Sequence, residues 1–194
     1  MKLCGLTGGV GMGKSTAAGL FLESGARVVD TDEIARELVK PGQPALVDIC
    51  RQFGNSILAA NGSLNRAALA HIVFNDESAL RRLEAILHPR IRQAWQSQVS
   101  RWARENCPVA VVVIPLLFET QAEAQFDRII CVACSPDSQQ ARLRQRGWSE
   151  GQVQRRIAAQ LPVEQKLARA HNVIWSEGVP EVHRRQVVEI LKRL

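Results

Sequence analysis

Two runs without a single polar side chain stand out along the chain, one over 109–114 and one over 129–134. Both are short and rich in Val and Ile, the pattern of a strand covered on both faces. With Arg128 added to the second, they predict strands at 109–114 and 128–134. Weaker strand patterns cover 3–7, 27–30 and 172–175. Helical spacing fills most of the intervals, including 14–22 and a closing amphipathic segment at 180–194. Strands alternating with helices predict an α/β fold, a parallel sheet with helices on both faces.

One interval breaks the rhythm. Residues 31–108 carry no convincing strand and read as helices over 31–39, 44–53, 66–74, and one or two over 76–105. Pro41-Gly42, Asn61-Gly62 and His88-Pro89 punctuate them. His88, standing before a proline, is biased out of the helix. A crossover between parallel strands needs only about a dozen residues. The excess reads as a helical insertion over the carboxyl edge of the sheet, a place suited to substrate binding.

Composition narrows the class. The chain has 194 residues, 46% hydrophobic and 23% charged, enough for a compact domain with length left for an insertion. The longest apolar stretch, 109–118, contains Pro115 and falls short of the roughly 20 residues of a membrane span. The N-terminus has no signal-peptide pattern. Five cysteines, an odd number, then suggest free thiols in a reducing cytoplasm. Cys131 and Cys134 have redox or zinc spacing, but they lie in a strand run, on opposite faces, with no second pair nearby. They read as buried core thiols.

The net charge is +6, and all but five of the 25 basic residues are Arg. They gather along 81–104 and 142–156. A small polyphosphate and nucleic acid are both candidate partners for such forks, and solvated helix faces are the plain alternative. No interleaved aromatic and basic strand pattern supports nucleic acid. Trp95, Trp102, Trp148 and Trp175 read as core or packing residues, and His171 and His183 carry no signal.

The chemistry begins at Gly8-Gly9-Val10-Gly11-Met12-Gly13-Lys14-Ser15, which matches G-x-x-x-x-G-K-[ST] with a strand before it and a helix after it. Glycines let the backbone bend around a phosphate, and the helix N-terminus adds a favourable dipole. Lys14 supplies a charge for the β- and γ-phosphates, and the Ser15 hydroxyl is placed for Mg2+. Asp30 and Asp32 stand at the carboxyl end of the second strand, where ligands gather in such sheets. A carboxylate there can accept a proton from a substrate hydroxyl or hold Mg2+ through water. The alternative is structural, with Asp30 ending the strand and Asp32 capping the next helix. Pro115-Leu116-Leu117-Phe118-Glu119 leaves the third strand at the same edge. After the fourth, Arg142 and Arg146 are four apart and share a helix face, fit either to clamp a triphosphate or to sit in water.

LTGGVGMGKST, VVDTDEIAREL, LHPRI, VIPLLFE and RLRQR, in that order and spacing, closely resemble the dephospho-CoA kinases, from residue 1 to about 178. The resemblance implies phosphorylation of the ribose 3′-hydroxyl of dephospho-CoA by ATP with Mg2+, the last step of coenzyme A synthesis. It implies a nucleotide-kinase core with a five-stranded parallel sheet (1–30 and 109–194), a helical substrate domain at 31–108 and a lid near 137–154. Asp32 falls on the presumed general base, and Arg142 and Arg146 on lid arginines that meet ATP phosphates. The ATP site extends over residues 8–16, to Thr16. Thr7, His88, Pro115 and Leu116 fall near the acceptor. A cytoplasmic monomer, with no membrane or nucleic-acid partner, is expected.

Three departures accompany it, one of them Met12, which stands in place of a common small residue at a position that the motif leaves free. Many members carry an acid two residues before the PLLFE proline, where this chain has Val113, so a carboxylate near Mg2+ would come from Asp30 or Asp32. Many members read Ala-Asp-x-Val-Ile-x-Asn where this chain runs from Ala170 through His171 to Ser176. Two rival classes remain: another small-molecule kinase on the same core, and a nucleotide-dependent switch.

Overall fold

The fold is described from a computed structural model covering residues 1–194, the side chains of Phe74 and Asn75 excepted. The chain divides into two compact units, Met1–Val29 with Arg101–Leu194, and Asp30–Ser100.

The first unit is built on a five-stranded sheet of β1 (Lys2–Gly8), β2 (Arg27–Asp30), β3 (Val109–Val113), β4 (Arg128–Ala133) and β5 (Asn172–Trp175), in the order β2-β3-β1-β4-β5. β1 pairs in parallel with β3, Leu6 opposite Val113, and with β4, Gly8 opposite Val132. β5 joins β4 in parallel, with Ala133 opposite Trp175. The chain leaves β1 toward β2 and returns through β3 before crossing to β4. The order therefore reverses around β1, and a parallel sheet opens a crevice beyond the carboxyl ends of its strands at such a point.

The apolar runs are explained by what covers them. Cys4, Leu6, Val111, Val113, Ile130, Val132 and Ile174 alternate along their strands and face one core. Onto it pack Ala17, Leu20 and Phe21 of α1 (Lys14–Glu23), and Val187 and Ile190 of α9 (Pro180–Lys192). On the opposite face, a Cβ at Gly5 would stand 2.6 Å from Leu117 and 3.1 Å from Phe126, so the small residue is what lets that layer close. Between β4 and β5 lie α6 (Pro136–Gln145), α7 (Glu150–Ala158) and α8 (Val163–Arg169).

The second unit is helical: α2 (Thr31–Leu38), α3 (Pro44–Phe53), α4 (Arg66–Asn75) and most of α5 (Glu77–Arg104). Val39, Ile49, Ile57, Leu69, Val73 and Ala79 form its core. α5 corrects one expectation, since it is a single helix passing through His88 and Pro89 without a break. Proline removes a helical donor and crowds the preceding turn. Here Arg90 reaches back to donate to the Ile86 carbonyl at 2.7 Å and also pairs with Asp48 of α3, which braces that turn. Three of the six arginines of this helix pair with local acids: Arg81 with Glu77, Arg82 with Asp76, and Arg101 with Glu105.

Candidate active site

β1 ends and α1 begins within the glycine-rich segment. Gly8, Gly11 and Gly13 have φ of 144°, 76° and 89°, values that side-chain-bearing residues rarely adopt. A Cβ at Gly8 would lie 2.2 Å from the Val132 carbonyl oxygen. The Met12 N–H donates to the Gly9 carbonyl at 3.2 Å and closes the turn. Met12 itself packs with Ala133 and Cys134, so the position that the motif leaves open is filled here by a core residue. The first helical hydrogen bond of α1 runs from Ala17 to the Gly13 carbonyl. The N–H groups of Ser15 and Thr16 therefore precede any acceptor in the helix, at its positive end. Lys14 Nζ is drawn over the loop by the carbonyls of Gly8 (2.8 Å) and Gly9 (2.9 Å). This cradle of N–H groups and an ammonium is built for a polyphosphate.

Two glutamines hold the crown of the loop. Gln139 of α6 donates to the Val10 carbonyl at 2.7 Å, and the Val10 N–H donates to Gln160, just after α7, at 2.8 Å. Gln139 lies one turn before Arg142 and Leu143, and a Cβ at Gly11 would meet Leu143 at 2.8 Å. Thus one face of α6 rests on the loop. Ser135 caps that helix by accepting from the Ser138 N–H. Half-buried Arg142 donates through Nη1 to the Ser176 hydroxyl (2.8 Å) and through Nη2 to the Ser176 carbonyl. α6 ends at Gln145, so Arg146 stands at its C-terminus, exposed.

Pro115 marks the exit from β3. Its carbonyl accepts from the fully buried Thr7 hydroxyl (3.2 Å) and from Lys166 Nζ (3.0 Å). Thr7 is thus a strut beneath Pro115. Lys166 of α8, wholly buried, also pairs with Glu119 at 2.8 Å, and Glu119 accepts the Leu161 N–H at 2.8 Å. Sequence reasoning missed Lys166, Gln139 and Gln160. The spacing of Gln139 to Arg142 on one helix face was the only available signal. Leu116 follows, half-buried.

In the helical unit, Asp30 is the N-cap of α2, its carboxylate accepting from the Asp32 N–H at 2.7 Å. The expected alternative is therefore corrected. The cap is Asp30 rather than Asp32, because the helix starts one residue after the strand ends. Asp32 is exposed in the first turn. His88 is exposed on α5.

Burial pushes the Cys131 thiol up to about 11, and Cys134 is raised by burial too, so both are neutral core groups. Glu177 is held down at about 2, first by the Ser135 hydroxyl, with Ser138, the Ser135 N–H and Trp175 adding to it. It lies where a carboxylate complements the α6 N-terminus. Trp95 and Trp102 are buried, whereas Trp175 is exposed on edge strand β5 and bonds Glu177, contrary to a core role. His171 has a task that its sequence hid: its Nδ1 accepts the Ile129 N–H at 3.0 Å.

Among the described residues no cluster of three or more His, Cys, Asp or Glu forms a metal cage. Mg2+ prefers oxygen and is commonly held by one or two side chains together with substrate phosphates. The exposed Ser15 hydroxyl on the phosphate cradle is such a donor, so the residues present fit the ion.

Comparisons with known proteins agree with this geometry. The model of the dephospho-CoA kinase family matches residues 2–181. A dephospho-CoA kinase of Anaeromyxobacter dehalogenans is 46% identical over 182 residues, 93% of this chain and 86% of that one. A crystal structure from Thermus thermophilus superposes with a TM-score of 0.85 at 34% identity, covering 100% of this chain and 97% of that one. The fold extends to shikimate kinase of Acinetobacter baumannii, with a TM-score of 0.55 at 16% identity over 100% of this chain and 92% of that one.

Proposed function

The chain belongs to the dephospho-CoA kinase family, and from that premise we propose how its own residues carry the reaction. It is an ATP-dependent kinase that phosphorylates dephospho-CoA in coenzyme A synthesis. The observation that carries the residue assignment is the loop itself. Its glycines turn the chain into the N-terminus of α1, with Lys14 drawn over the loop and Arg142 held against it.

Residues 8–16 bind the ATP phosphates through backbone N–H groups, and Lys14 meets the β- and γ-phosphates. Arg142 places its remaining N–H groups on the charge that spreads over the moving phosphoryl group, with Arg146 adding to that field. Ser15 would hold Mg2+, whose charge would offset that of the phosphates. Asp32 accepts the proton of the ribose 3′-hydroxyl as that oxygen attacks. His88, Pro115 and Leu116 orient the acceptor, and Thr7 serves by fixing the Pro115 carbonyl. Residues 31–108 act as the substrate domain and 137–154 as the lid, on a core of 1–30 and 109–194. Positioning and fixed charge supply most of the acceleration. The five free thiols support a reducing, cytoplasmic setting, and a monomer is the expected state, which light scattering checks.

Asp32→Asn tests the assignment. We expect kcat to fall by about 10²–10⁴, the usual share of a general base, with KM for ATP little changed. A rise in KM at constant kcat would make Asp32 a binding residue and no base.

A further inference from the structure

Ser176 follows β5 directly. It is almost wholly buried. Its backbone N–H donates to the Ala133 carbonyl at 2.7 Å, continuing the β4–β5 pairing, so its place is fixed by the sheet. Its hydroxyl does two things at once. It donates to the Met12 carbonyl of the phosphate loop at 2.8 Å and accepts from Arg142 Nη1 at 2.8 Å. Its own carbonyl takes Arg142 Nη2. The guanidinium is thereby gripped on one edge by two acceptors of a single residue. A Cβ at Gly13 would stand 3.1 Å from the Ser176 hydroxyl and 3.5 Å from Arg142 Nη1, so the grip lies directly against the loop. The remaining N–H groups of Arg142 have no hydrogen-bond partner among the described residues.

We propose that Ser176 is a positioning residue for phosphoryl transfer. Its hydroxyl, locked between the Met12 carbonyl and Arg142, registers the guanidinium to the phosphate loop before ATP arrives. Arg is a long, flexible side chain, and a fork held beforehand loses less freedom when it meets the phosphate. The inference rests on the reading of Arg142 as a phosphate contact.

The test is a double-mutant cycle of Ser176→Ala and Arg142→Ala, read as kcat, KM for each substrate and melting temperature. Ser176→Ala should lower kcat about tenfold, the scale of one lost hydrogen bond to a charged group. KM for dephospho-CoA should not change. In the Arg142→Ala background the same substitution should have no further effect on kcat, which a merely structural role would not produce. An equal fall in both backgrounds would overturn the inference, and so would an unchanged or raised kcat in Ser176→Ala. A raised kcat would mean that the contact parks Arg142 away from its work. If Arg142→Ala alone leaves kcat intact, the reading of Arg142 fails, and the inference with it. A strong Arg142 effect without a Ser176 effect sinks the inference alone. Should Ser176→Ala not fold, Ser176→Cys, which keeps the volume but bonds weakly, must show the same pattern.

Discussion

In the proposed mechanism Lys14 is the charge that meets the β- and γ-phosphates. Its ammonium donates to the carbonyls of Gly8 and Gly9, which hold it over the loop. Lys14→Ala should lower kcat/KM by about 10²–10³, as losing one preorganised donor does elsewhere, while circular dichroism stays that of the wild type. Gly8 is the opposite case. Its backbone is strained for any side chain, and a Cβ would collide with the Val132 carbonyl. Gly8→Ala should cost roughly 2–4 kcal/mol in urea unfolding, through strain at a special φ. Glu177 makes stability depend on acid. Its folded pKa, about 2, lies below the ordinary 4.5. Its contribution is therefore present above 4.5 and is lost as pH falls toward 2. Urea unfolding at pH 5 and pH 3 should show a smaller loss in Glu177→Gln than in wild type.

At the level of elements, the β3 exit is tied to the segment between α7 and α8. Glu119 holds both Lys166 and the Leu161 N–H, and the next residue back, Gln160, holds Val10. Lys166→Met should destabilise the enzyme by about 3 kcal/mol, the low end for removing one partner of a buried pair, since Glu119 keeps some contact with water. Glu119→Gln should cost less, because an amide oxygen can still accept the Leu161 N–H. Thermal and urea unfolding check both. β3 and β4 were the most legible strands because burial on both faces writes itself as an unbroken apolar run, whereas the half-exposed β2 and β5 left only weak patterns. The unity of α5 was not, because the bracing of Pro89 comes from Arg90 and from Asp48 on another helix. Lys166 was invisible for a related reason. Lysine is almost never fully buried, and only its partners reveal the exception.

On the scale of the molecule, the phosphate loop was legible as a motif, whereas its supports were not. Gln139, Gln160 and Ser176 reach the loop from segments far along the chain, at 129, 150 and 164 positions' separation. No local pattern encodes such contacts. Ser176 looked like a lost family residue and is in fact a link between loop and arginine. The basic charge divides in the same way. Three of the six arginines of α5 pair with neighbouring acids, whereas Arg142 is gripped against the loop. The shikimate kinase likeness fixes the fold and leaves the acceptor to the family match. The most direct measurement is therefore ADP release with ATP and Mg2+ in the presence of dephospho-CoA, AMP, shikimate or no acceptor. ADP should form only with dephospho-CoA, and phosphorus NMR should find the new phosphate on the ribose 3′-oxygen. Comparable release with AMP or shikimate, or without any acceptor, would contradict the assignment.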